Sequence, residues 1–254
     1  LMIRRPPRCT LLASSAASDV YKTEDKNYRL ADLLRDVNAI DGKFRIRFVT
    51  SYPTDITDEL IKTTLELDKV CEYFHIPMQS GSSEVLKKMN RRYDRETYFR
   101  IANKVREMVP DVTITSDFIA GFPGETEEQF VETLTAMEEL GLDYSNTAAY
   151  SPREKTVAAK WIDKFNYEDT KFEPLATLNE QNRKCCLASN QKFLGRGMEV
   201  LIESFENHKG SNVITGRTRN NKIVHIPYDK DLTGEFVNVK ITGVKTWYLK
   251  GEMI

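Results

Sequence analysis

Residues 117–130 read DFIAGFPGETEEQF. An apolar run, Phe118-Ile119-Ala120, stops at Gly121. Phe-Pro-Gly-Glu follows, and then Thr126 with Gln129 three residues later, a capping-box pattern that opens a helix over 130–140. A strand that runs through a short turn into a helix is one half of a β/α unit. The turn is longer than a simple reversal needs. Two glycines around a proline allow close approach to the backbone, so a flat ring could lie against Ile119 to Gly121. The same residues also suit an ordinary βα turn whose shape is fixed by proline.

The pattern repeats on both sides. Upstream, the i, i+3, i+4 spacing of Leu30, Leu33, Leu34 and Val37 predicts a helix from Tyr28 to about Ile40. Alternation in FRIRFV (44–49) predicts a strand, and a helix follows from Pro53 to about Leu67. VCEYFHIP (70–77) reads as the next strand and ends in Gln79-Ser80-Gly81-Ser82-Ser83, which leads into a short helix. Asp94 is a good N-cap for a helix over 98–108, and Pro110 ends it. The strand 112–120 contains the opening stretch. Downstream come a strand over 142–150 and a long helix over 172–194. Strands alternating with helical crossovers predict an α/β class with parallel strands. Four strands are too few to close an eight-stranded barrel, so the expectation is an incomplete (β/α) barrel.

After Leu194 the period changes. Five short strands at 198–202, 212–215, 222–226, 236–241 and 247–254, separated by turn residues, predict a small all-β, OB-like barrel. The boundary falls near 190–196, taken as 193/194. The first 18 residues, LMIRRPPRCTLLASSAAS, are basic and then Ser/Ala-rich, without helical or strand period. They read as a transit-type segment or, in the favoured reading, as a leader foreign to the fold. The expected units are therefore 1–18, 19–193 and 194–254.

Net charge is −1, which excludes bulk charge as an argument for nucleic-acid binding. From Leu194 onward there are nine Lys/Arg against seven Asp/Glu, whereas the rest holds 28 against 31, so the end is mildly basic. No apolar run is long enough to span a membrane. The four cysteines, Cys9, Cys71, Cys185 and Cys186, have no C-x-x-C spacing; free thiols in a reducing cytoplasm are expected.

Ligands of α/β sheets gather beyond the carboxyl ends of the strands. Three such ends are polar or glycine-rich. Gln79 and Ser80 could hold ribose hydroxyls or a carboxylate, or could simply cap the next helix. Gly121 to Glu125 is the loop discussed above. Tyr150-Ser151-Pro152-Arg153 places an arginine where it could meet a carboxylate or phosphate, or only solvent. His75 and His225 read as satisfied structural histidines, and the acidic run 125–128 as a helix N-terminus favoured by the dipole. In the second unit, Arg217, Arg219 and Lys222 fall on one hairpin, with Trp247 and Tyr248 nearby. Basic loops with aromatics on a small barrel suit single-stranded nucleic acid, though a charged, soluble hairpin is the plainer reading.

Taken together and in order, IPMQSGSSEVLKKMNRRY (76–93), SDFIAGFPGETEEQF (116–130) and GRTRNNKIVHI (216–226) resemble the radical S-adenosylmethionine (SAM) methylthiotransferases. The branch that modifies isopentenyl-adenosine beside the tRNA anticodon is the most similar. FRIRFVTSYPTDITDELI (44–61) also fits. The resemblance runs from about Asp19 to the end and identifies the second unit with the TRAM, RNA-binding domain. It implies a radical-SAM partial barrel and a transferase that places a methylthio group on adenine C2. Its cofactors would be SAM and two 4Fe–4S clusters, and its partners tRNA with sulfur and electron donors, acting as a cytoplasmic monomer. By position, Gln79 and Ser80 would lie near the ribose or amino-acid end of SAM, and Asp117, Ile119 and Gly121 along its adenine. Arg153 would follow in the next strand end. Two departures stand out. Neither cysteine set that holds the clusters is present, so no metal ligand carries over and the chain alone is expected to be inert. YSPREKT (150–156) also differs from the usual form of that loop. The alternative is an RNA-binding protein with a non-catalytic α/β scaffold; an unrelated barrel enzyme is a third possibility that the ordered motifs disfavour.

Overall fold

A computed structural model describes residues 28–49, 52–152, 156–164, 172–208 and 211–254. The leader 1–18, Cys9 and Arg153 lie outside the described residues.

The first half has helix α1 (Leu30–Asn38), α2 (Asp58–Glu66), strand β1 (Tyr73–His75), α3 (Ser83–Lys88), α4 (Arg95–Met108), β2 (Thr113–Ala120), α5 (Glu127–Glu139), β3 (Tyr144–Ala149) and α6 (Phe172–Gln191). The strands form a parallel sheet in the order β1-β2-β3. Local chemistry sets the helix starts as expected: Asp94 accepts from Thr97 N at 2.8 Å, and both arms of the Thr126/Gln129 capping box are present.

The strand expected at 44–49 is reduced to one parallel bridge, Ile46 with Val70. The ladder cannot extend because Tyr73 N donates to Cys71 O at 2.8 Å, a tight bend just before β1. The side chains flanking Ile46 are also engaged elsewhere. Arg45 donates to the carbonyl oxygens of Arg217 and Glu199, and Arg47 to that of Thr218.

Alternation sorts the sheet into two faces. Phe74, Ile114 and Phe118 point one way and are buried with Tyr98, Met137, Leu140 and Leu178 from the helices. The opposite face is polar and bears Tyr73, His75, Thr113, Thr115, Asp117, Tyr144 and Asn146.

The second half is a closed five-stranded barrel of β4 (Gly197–His208), β5 (Ser211–Thr218), β6 (Ile223–Pro227), β7 (Phe236–Val244) and β8 (Leu249–Met253), ordered β4-β5-β6-β8-β7. Its own core contains Val200, Ile202, Ile214, Val224, Ile226, Val239, Ile241 and Leu249. Phe193, assigned to the α/β half from sequence, packs in this barrel core. Closure is tight enough to demand glycine. A Cβ at Gly216 would lie 2.3 Å from the Leu201 carbonyl oxygen.

Candidate functional site

The carboxyl ends of β1 and β2 meet where the sequence places its first two candidates. Gln79 adopts φ +74°, so the chain turns while staying in register with β2. Gln79 N donates to Asp117 O at 2.8 Å, and Ile119 N donates to Gln79 O at 2.9 Å. Gln79, Asp117 and Ile119 are therefore immediate neighbours, with Gly121 continuing the same edge. Among the described residues, the side-chain amide of Gln79 has no protein partner. Ser80 is not part of this edge. It is fully buried, its hydroxyl lies 3.3 Å from that of Thr133, and it accepts from Ser82 N at 3.2 Å. Gly81 shows why the turn is packed so closely on α5: a Cβ there would meet the Glu132 carbonyl oxygen at 2.3 Å.

Below this edge a hydrogen-bond chain crosses the polar face. Tyr73 OH accepts from Thr115 Oγ1 at 2.9 Å, Thr115 Oγ1 lies 2.9 Å from His75 Nδ1, and His75 Nε2 lies 3.1 Å from Asp117 Oδ2. Asn146 Nδ2 donates to the other Asp117 oxygen at 2.9 Å. Register explains the convergence, because His75 is opposite Thr115 and Asp117 is opposite Asn146. Burial would raise the Asp117 pKa, but the bonds from His75 and Asn146 outweigh it and hold the carboxyl below the usual range. The carboxylate stays partly open to solvent and so remains an acceptor for a ligand hydroxyl or amine.

The opening stretch folds into a loop closed by its own carboxylate. Gly121 and Gly124 take φ +69° and +79°. Glu125 Oε2 accepts from Gly121 N at 2.8 Å, while Lys88 Nζ donates to Gly124 O at 2.8 Å. Burial pushes the Glu125 carboxyl up to about 7, against the lowering effect of its bonds to the Gly121 and Phe122 amides. Glu125 thus belongs to the loop, whereas Glu127 and Glu128 lie in the first turn of α5. Sequence grouped Glu125 with the acidic helix start; the folded loop instead turns its carboxylate back onto Gly121 N. The roles of Asn146 and of the polar face as a whole had no sequence signal, because they depend on register.

The three hairpin cations sit at the junction of the two halves. Arg219 brackets the Glu72 carboxylate at 2.7 and 2.9 Å and also donates to the carbonyls of Asp68 and Val70 at 2.7 and 2.6 Å. Lys222 is buried, 2.7 Å from Ser189 Oγ and 3.2 Å from Asp143 Oδ1. Arg217 pairs with Glu203 at 3.0 Å. Arg196 pairs with Asp111 across the same junction at 2.5 Å. The hairpin brought out by sequence as a nucleic-acid contact therefore joins the barrel to the sheet, and its charges are neutralised within the chain.

A cavity of about 490 Å³ lies between the polar face of the sheet and this hairpin, with Trp247 and Tyr248 on its barrel side. Trp247 also meets Tyr144 edge-on, ring centroids 6.1 Å apart.

The cysteines do not suit an iron–sulfur cluster, which needs several thiolates around one point. Cys71, Cys185 and Cys186 are buried and free. Burial raises all three thiols, Cys186 to about 12, which disfavours the thiolate form. Among the described residues no group of three or more His, Cys, Asp or Glu could hold a metal ion, and no helix is long and apolar enough to cross a membrane. The strand-end edge does suit SAM in donor type, offering a free amide, a partly exposed carboxylate and glycine backbone.

Comparison with known proteins places the two halves in different families. Residues 17–137 match the Radical SAM superfamily, and residues 191–254 match the TRAM domain. The chain is 47% identical over 233 residues to the tRNA-2-methylthio-N(6)-dimethylallyladenosine synthase of Thermoanaerobacter sp. (strain X514), covering 92% of this chain and 49% of that protein. The protein of the same name from Acetivibrio thermocellus is 44% identical over 224 residues, with 88% and 46% covered. The chain thus spans about half the length of the curated relatives it matches. Among solved structures, coproporphyrinogen III oxidase from Escherichia coli, a radical SAM enzyme, aligns with TM-score 0.47 and 24% identity, covering 60% of this chain and 36% of that one.

Proposed function

The chain belongs to the radical SAM tRNA methylthiotransferase family, and from that premise we propose that it is the SAM-wall and RNA-docking part of a tRNA methylthiotransferase. The reaction is addition of a methylthio group to C2 of isopentenyl-adenosine next to the anticodon. The observation that carries this reading is identity of 47% over 233 residues, running through both the strand ends and the barrel. The proposed units are 19–193 for the α/β half and 194–254 for the barrel.

In this reading Gln79 donates to the ribose or amino-acid end of SAM, and Asp117 accepts from a hydroxyl or amine there. Ile119 and Gly121 form the surface along the adenine, and Glu125 keeps that surface in shape by holding Gly121 N. Ser80 acts through Thr133 to fix the turn. SAM, when bound here, would supply the radical chemistry of the family, and the residues above would hold and orient it. The chain contains no cysteine set for an iron–sulfur cluster, so by itself it is inert. With the described cysteines free and the family acting on tRNA, the cytoplasm is its place, and a single copy suffices for the site.

Two measurements test the reading. The chain, treated with iron and sulfide and given SAM and a reductant, is expected to form no 5′-deoxyadenosine above background; enzyme-like turnover would overturn the claim of inertness. The same chain is expected to bind tRNA with an affinity that falls as salt rises. Failure to bind tRNA would overturn its RNA-docking role.

The lack of cluster cysteines favours one second reading for the isolated chain, an RNA-binding protein whose α/β half is a scaffold. Binding of tRNA without any measurable affinity for SAM would select it.

A further inference from the structure

We propose that His75 is a positioning residue for nucleoside recognition: together with Asn146 it aims the Asp117 carboxylate so that its two oxygens accept the vicinal ribose hydroxyls of SAM. This rests on the SAM-wall reading above and decides which part of the ligand Asp117 takes.

The carboxylate is held from both sides. His75 Nε2 lies 3.1 Å from Oδ2, and Asn146 Nδ2 donates to Oδ1 at 2.9 Å. An ionised carboxylate offers about four lone-pair sites, so each oxygen keeps acceptor capacity. The Asp117 side chain is 33% exposed, against 10% for His75. A ligand can therefore reach the carboxylate, while the ring that aims it is enclosed. That ring is fixed at its other end as well. His75 Nδ1 lies 2.9 Å from Thr115 Oγ1, which donates to Tyr73 OH at 2.9 Å. An imidazole bonded at both nitrogens cannot turn without breaking one of the bonds, and the bond at one nitrogen sets what the other can do.

Two features select the diol over the other donors of SAM. An ammonium group is a point charge that seeks an unspent carboxylate, whereas both Asp117 oxygens already take an N–H bond. A pair of neutral O–H donors needs only the one further site that each oxygen retains. Spacing agrees. Asp117 and Ile119 lie two residues apart on β2, so they project from the same face about 6.6 Å apart along the strand. That separation is comparable with the distance from the ring of a nucleoside to its diol. Adenine against Ile119 therefore brings the ribose over Asp117. Acidic side chains near the carboxyl ends of strands in α/β folds take ribose hydroxyls in this way.

The test measures binding of SAM, and of a SAM analogue lacking both ribose hydroxyls, to the chain by equilibrium dialysis. The unaltered chain is expected to bind SAM about tenfold or more tightly than the analogue, as the loss of two hydrogen bonds to a charged acceptor would give. His75→Asn keeps an amide near Thr115 but does not reach Asp117, and is expected to cut that ratio to about threefold or less. His75→Gln carries its amide nitrogen close to the position of Nε2 and is expected to restore most of the ratio. A merely structural loss would weaken both ligands alike and leave the ratio unchanged. Asn146→Ala, at an exposed strand position, is expected to lower the ratio severalfold, and it serves as the test if His75→Asn does not fold. If SAM binds but the ratio is near one in the unaltered chain, or is unchanged in these variants, the positioning role is refuted and the SAM reading stands. If the unaltered chain binds neither ligand, both fall.

Discussion

Arg219 is the point at which position in space adds most to the sequence reading. If it joins the two halves, Arg219→Ala should lower stability whether or not RNA is present. The guanidinium makes short bonds to both oxygens of Glu72 and to two main-chain carbonyls. Its side chain is 31% exposed, and that of Glu72 is 26% exposed. The pair is thus neither a surface ion pair, worth about 0–1 kcal/mol, nor a fully buried one, whose breakage costs about 3–5 kcal/mol. An intermediate loss of about 2 kcal/mol is expected for Arg219→Ala, because water can reach the orphaned carboxylate and carbonyls. Arg219→Lys keeps the charge but not the fork, and should recover only part of the loss. A double-mutant cycle with Glu72→Ala, read by urea unfolding, isolates the pair itself and should give a coupling of about 1–1.5 kcal/mol. In single-tryptophan backgrounds (Trp247→Phe or Trp161→Phe), Trp161 reports on the α/β half and Trp247 on the barrel face that meets Tyr144, and in Arg219→Ala their transitions should separate. A coupling below about 0.3 kcal/mol, with unchanged, coincident transitions, would refute the reasoning.

Three further outcomes follow from particular contacts. Glu125 is raised by burial from 4.5 to about 7, so the folded state holds its proton longer than the unfolded chain does. Stability should therefore fall as pH rises from about 4.5 to 7 and level off above, by at most about 3 kcal/mol; Glu125→Gln should remove that slope in urea midpoints measured across the window. Gly81→Ala forces a Cβ to 2.3 Å from the Glu132 carbonyl oxygen and 2.5 Å from Thr133 Cα. Neither is a flexible side-chain tip, so a loss of several kcal/mol is expected, seen as an early transition of Trp161 emission with the barrel intact. Lys222→Met leaves Asp143 buried without its cation and should cost about 3 kcal/mol. Adding Asp143→Asn should return much of that, as measured by thermal unfolding.

The sequence by itself determined what local chemistry determines. The 3.6- and 2-residue periods marked nearly every helix and strand, Asp94 and Thr126 marked two helix starts, and the change of period near Leu194 marked the second unit. The motif order 76–93, 116–130 and 216–226 was sufficient to indicate the family. These signals are carried by neighbours within a turn or two, so they survive without a fold. Tertiary structure decided the rest. The strand at 44–49 shrank to a bridge because its arginines bond to a barrel more than 150 positions away and because the chain bends at Tyr73. Ser80 faced α5 because Gly81 must pass against that helix's backbone. Arg219 and Lys222 became joints because Glu72 and Asp143, remote in sequence, meet them at the junction. In the opening stretch, the two glycines and the proline could be read as a turn, but only the folded chain brings Glu125 back onto Gly121. Charge and polarity along a sequence say what a side chain can do; which partner it finds depends on register and packing, which no local window contains.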